Sequence, residues 1–135
     1  MTRDPVSGKT ADTSDRRKGT SGSVSIEAVL IVPLFFVAIF AILEGSLWVH
    51  ASSVAQAAAQ DGARAATVLG GTEETGRVTA QTILDARRVG EDWQIVTTSD
   101  PAAFTVSITG RAPSVVPGLS FAVRESATLP WEPSQ

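Results

Sequence analysis

The sequence has no cysteine and no tyrosine, and only one histidine and one methionine in 135 residues. Without cysteine there is no disulfide, no thiolate metal ligand and no cysteine nucleophile. His50 is left as the one side chain whose ordinary pKa lies near neutrality, so acid–base and metal chemistry have few groups to use. An excess of either charge is also missing. Eleven Lys+Arg stand against 14 Asp+Glu, a formal net charge of -3, which argues against a broad basic nucleic-acid-binding face. Enzyme motifs are missing as well: no GxSxG, HExxH, Walker loop or GxGxxG occurs. The adjacent acids Glu73–Glu74 and Glu91–Asp92 read as solvated surface, and His50 beside Trp48 reads as a polar residue at an interface. No catalytic, metal-binding or cofactor-binding set is expected, and no enzyme.

What is present is unevenly distributed. Residues 1–23 carry five basic and three acidic side chains, residues 24–49 only Glu27 and Glu44, and residues 50–135 six Arg, no Lys and nine acids. The first segment has one apolar residue of any size beyond Met1, Val6, and ends in Arg16-Arg17-Lys18; it is expected to be a disordered basic leader. From Ala28 to Leu43 the chain runs AVLIVPLFFVAIFAIL without a charge or a strongly polar group. Extended to residues 24–49 it exceeds the roughly 20 helical residues that cross a bilayer core of about 30 Å. Pro33 lies inside it, which membrane helices tolerate. A buried core helix of a soluble protein is the poorer reading, because too little chain remains to bury it. A cleavable signal peptide would need an unusually long basic region before its apolar stretch, so a retained anchor is preferred.

Residues 51–69, ASSVAQAAAQDGARAATVL, are rich in the best helix former and contain no proline. Val54, Ala58, Ala65 and Leu69 fit one face, and a single helix is expected from about residue 24 to 69, its second half projecting from the membrane as a stalk over 50–69. Ala51, Ala55, Ala59 and Ala63 repeat every four residues, as do Ala58, Gly62 and Ala66. Such rows admit a close partner helix, or simply reflect alanine's helix propensity. On the first reading, Gly62→Leu would hold the partner away while favouring the helix, and Gly62→Ala would be nearly silent.

Gly70-Gly71 stops the helix, and Thr72 caps a second, with Glu73 and Glu74 in its first turn and Arg87 and Arg88 in its last. Three alternating runs come next: Trp93, Ile95, Thr97; Phe104, Val106, Ile108; and Phe121, Val123 onward to Leu129. Asp100-Pro101 and Pro117-Gly118 mark the turns between them. The expected fold is α+β: a long membrane-plus-stalk helix, a short helix, and a small antiparallel sheet, with residues 70–135 as an extracytoplasmic head. Arg16, Arg17 and Lys18 precede the apolar run closely, and the next basic residue after it is Arg64, so the N-terminus is expected in the cytoplasm.

Two segments carry a resemblance. GSVSIEAVLIVP, from Gly22 to Pro33, resembles the GS-x-x-x-E start of the membrane helix in TadE-like proteins of the tight-adherence (Flp-type) pilus system, and QDGARAA at 60–66 resembles their Gly-Ala-Arg signature. The resemblance implies a pilin-like, non-enzymatic minor pilin, pseudopilin or pilus-assembly component in the cytoplasmic membrane. Its implied partners are other pilin subunits, the assembly machinery, membrane lipid and a prepilin peptidase, with no nucleic acid and no cofactor. Cleavage would then follow Gly22 and free an amine at Ser23, and Glu27 would neutralise that amine in a neighbouring subunit. Pseudopilins of this system often carry Tyr after that Glu, where this chain has Ala28, a departure that bears on processing. The alternative function is a membrane-tethered extracytoplasmic binding module unrelated to pili.

Overall fold

The computed structural model describes residue 2 and residues 21–131, with side chains from residue 26 onward in the latter stretch. Most of the basic leader, Arg16-Arg17-Lys18 included, lies outside the described residues. The elements run α1 (Ser21–Thr67), α2 (Glu73–Arg87), β1 (Glu91–Ser99), β2 (Ala103–Ala112) and β3 (Phe121–Pro130). This is the expected α+β order. The chain divides into two compact units, Met1–Phe36 and Val37–Gln135.

Within the first unit, the described side chains of α1 are exposed and overwhelmingly apolar: Leu30, Leu34 and Phe35 are each more than 60% exposed. α1 is long and apolar enough to cross a membrane, and none of its most apolar stretch is buried. An exposed apolar face of this extent needs a lipid or protein covering.

The second unit is two helical segments laid on one face of a sheet. α1 ends at Thr67, where the chain turns through Gly70 at φ +79°, a conformation glycine adopts without steric cost. Leu69, expected on the apolar face, is 81% exposed because it lies past this end. Thr72 caps α2, its Oγ1 accepting from the Thr75 amide at 3.1 Å. Glu74 is hydrogen-bonded to Arg77 and, through that bond first and its charge second, raises the guanidinium pKa. Arg88, expected in the last turn, is the left-handed cap residue at φ +48°, its amide donating to the Leu84 carbonyl. The three strands form an antiparallel meander in the order β1-β2-β3. Asp100 N–H donating to Ala103 C=O closes the first hairpin. In the second, Pro117 and Gly118 (φ +83°) occupy the centre of a turn closed by Leu119 N–H to Val116 C=O, the proline–glycine order of a type II turn.

Alternation assigns the faces. Phe104, Val106 and Ile108 of β2 are fully buried, with Val123 of β3 beside them, while Thr105, Ser107 and Thr109 point to the other side. Onto the buried face pack Ala80 and Leu84 of α2 and an alanine-rich stripe of α1. Ala51, Ala55, Ala58, Ala59, Ala63 and Ala66 are all fully buried. Residues 51–66 therefore belong to the head's own core, which differs from the expected separate stalk. The reason is volume: the sheet and α2 alone offer few large apolar side chains, and a helix surface of methyl groups lets α1, α2 and the sheet close together.

Candidate functional site

The small-residue row Ala58, Gly62, Ala66 is a helix-packing face, and the helix on it is α2 of the same chain. A Cβ on Gly62 would lie 2.8 Å from the Gly76 carbonyl oxygen and 3.0 Å from Ala80 Cβ; one on Gly76 would lie 2.9 Å from Ala66 Cβ. The two glycines let the backbones meet, so the row is buried within the chain. The spacing carried the closeness of the approach but not the identity of the partner.

The residues expected at a processing and assembly site fall at the start of α1. Gly22 and Ser23 lie in its first turns by backbone, with their side chains outside the described residues. Glu27 is exposed on the helix, five positions after Gly22. It is not brought together with Ala58, Gly62 or Ala66. His50 is exposed and lines shallow grooves with Ser53. Among the described residues no group of three or more His, Asp or Glu side chains is placed to hold a metal.

The other acid of the apolar segment, Glu44, has a more built environment. It is 5% exposed, although it comes directly after the apolar run. Its Oε1 accepts three hydrogen bonds from the β2–β3 connection: Ser114 Oγ at 2.8 Å and the Val115 and Val116 amides, each at 2.9 Å. Such charge-assisted bonds are the usual condition for keeping a carboxylate out of water. Oε2 is buried and has no hydrogen-bond partner. One turn on, Trp48 Nε1–H donates to the Ala122 carbonyl at 3.1 Å. Together these contacts hold the connection and the start of β3 against α1. They also form a cleft of about 660 Å³ walled by Val37, Phe40, Ala41 and Trp48 on α1 and by Val116, Leu119 and Phe121 opposite. Glu44 lines it between Ala41 and Trp48. Sequence reading registers Glu44 only as a charge in a span, because its donors lie 70 residues away. The available signal is a lone acid closing an apolar run, together with an aliphatic loop bracketed by Pro113 and Pro117.

No curated protein and no solved structure matches the chain. One family model does, and its range starts at Gly22, passes through the whole apolar run and stops at the Arg of the Gly-Ala-Arg signature. Over residues 22–64 this chain is similar to the family described as TadE-like protein, the family its two motifs resemble.

Proposed function

We propose that this chain is a minor pilin or pilus-assembly component of a Flp-type tight-adherence system, non-catalytic, and anchored by α1 in the cytoplasmic membrane with its head outside. The observation that carries the reading is the coincidence of the family match over residues 22–64 with an exposed, apolar helix able to cross a bilayer. The GS-x-x-x-E start at 22–27 and the Gly-Ala-Arg triplet at 62–64 both fall inside that match, one on each side of the apolar run.

In this reading Glu27 is an assembly carboxylate. Removal of the leader after Gly22 creates an ammonium at Ser23, and Glu27 of an adjoining subunit neutralises it in an apolar setting. An unpaired charge of either kind there would cost several kcal/mol. The test is co-purification of the tagged full-length protein with the pilin and secretion proteins of its own cells, in wild type and Glu27→Ala forms. Recovery of those proteins with the wild type and their loss with Glu27→Ala is the expected result. A wild-type protein that reaches the membrane and brings down no pilus component defeats the reading and leaves a tethered binding module.

A further inference from the structure

The β2–β3 connection that Glu44 holds has no part in the proposed assembly role, and a function for it rests only on the half of that reading in which α1 crosses a membrane. A hydrocarbon core of about 30 Å needs roughly 20 helical residues, and at the least about 17. Counted from Val24, where the apolar sequence begins, twenty residues end at Leu43 and seventeen at Phe40. Stopping at Phe36 would leave thirteen residues, about 20 Å of helix, too short to cross. Val37 and Phe40 thus belong to the spanning stretch. Val116, Leu119 and Phe121 face them across the cleft, so the connection lies level with the last turns of the span.

Its composition and bonding suit that depth. From Ala112 to Val123 it has no charged residue, and Arg111 and Arg124 bound it. Val115, Leu119 and Phe121 are 50%, 43% and 38% exposed, and Trp48 is 42% exposed. Irregular backbone is kept out of lipid by its unpaired polar groups. Here five of the seven residues 113–119 present no free N–H. Pro113 and Pro117 have none, Val115 and Val116 donate to Glu44 Oε1, and Leu119 donates to the Val116 carbonyl. The Ser114 hydroxyl donates to Glu44 as well. The buried carboxylate therefore engages the groups that would otherwise hold the loop in water.

We propose that the β2–β3 connection is a second membrane contact, immersed in the leaflet on the head's side. Val115, Leu119 and Phe121 lie among the upper acyl chains, and Trp48 lies at headgroup level. The partner is the lipid surface itself. The patch is apolar, has no charge for a headgroup to read, and sits beside the end of the apolar run that lipid has to cover. Two attachments, span and loop, then fix the tilt of the head against the bilayer.

The absence of cysteine allows a single nitrobenzoxadiazole probe to be attached at a chosen position. The full-length protein carries it through Val115→Cys, Val96→Cys or Leu34→Cys. Each form is reconstituted in vesicles of phosphatidylethanolamine and phosphatidylglycerol, with or without lipid bearing a nitroxide on the acyl chain near the glycerol. Val115 gives the Glu44 contact only its amide, which the substitution keeps. Val96, a valine of β1 that is 58% exposed, reports any affinity of the probe itself for lipid. Leu34, exposed on α1, reports the span. Emission shifted to the blue and quenched by the nitroxide is expected at 115 and 34, and unquenched emission typical of water at 96. Quenching at 34, with 115 no more quenched than 96, overturns the loop contact and leaves the anchor standing. Loss of quenching at all three positions removes the anchor as well. Blue-shifted emission at 115 that the nitroxide does not quench assigns the patch to a second copy of the chain and also overturns the proposal.

Discussion

Gly62 and Gly76 face each other where α1 crosses α2, and the missing side chains are what the contact consists of. A methyl group on Gly62 gains up to about 1 kcal/mol in helix propensity, but it meets a carbonyl oxygen that cannot yield without moving α2. Overpacking of this kind costs about 1–3 kcal/mol, so Gly62→Ala is expected to destabilise the head on balance and Gly62→Leu to do so severely. Thermal unfolding checks this: the midpoint should fall for Ala and fall further for Leu. That reverses the near-silence expected of alanine had the face been free. Phe104, fully buried between the α2 contact and the Trp131 ring 5.7 Å away, should cost about 3–5 kcal/mol on change to Ala. Glu44→Ala strands three donors at once. Amide hydrogen exchange at Val115 and Val116 should accelerate in that variant and stay close to wild type in Glu44→Gln, which keeps an acceptor.

At the level of elements, α2 depends on its cap. Thr72→Ala removes the acceptor for the Thr75 amide and should lower stability by about 1 kcal/mol, read as a shift in the unfolding midpoint. The start of α2 is also tied to the sheet, since Glu73 accepts a hydrogen bond from Thr97 Oγ1 of β1. Fraying at Thr72 should therefore be felt at Thr97. These boundaries were legible in the sequence because their causes are local: Gly70-Gly71, the Thr72 cap with its acids, Asp100-Pro101, Pro117-Gly118, and the alternation of β2. Arg88 in a left-handed cap was not legible, because Gly90 two positions later competes for that role. The destination of the alanine stripe was hidden for another reason. A row of small residues states how closely something can approach, and only the third dimension states that α2 and the sheet fill the space. Glu44 was invisible as an organiser because a carboxylate and its donors 70 residues apart share no pattern along the chain.

For the molecule as a whole, the basic cluster Arg16-Arg17-Lys18 before the apolar run predicts one orientation. With no native cysteine, a single Cys at the exposed Ser99 is an unambiguous reporter. A membrane-impermeant maleimide should label it in intact cells or spheroplasts, and protection until lysis would reverse the topology. Mass spectrometry of the protein from cells with the cognate peptidase should find Ser23 at the N-terminus; an intact leader would make the chain an unprocessed anchor. The sharing of α1 between apolar run and core bears on how this protein can be released or produced. Residues 51–66 supply one wall of the head's interior, so a cut at Gly70-Gly71, the most inviting loop by sequence, would shed a fragment without that wall, exposing Phe104 and Leu84 to water. A soluble fragment has to begin upstream of Ala51, and upstream of Glu44 if the 113–120 loop is to keep its anchor point. A shedding protease thus frees a folded head only by cutting within or next to the apolar run, the stretch that a membrane would cover.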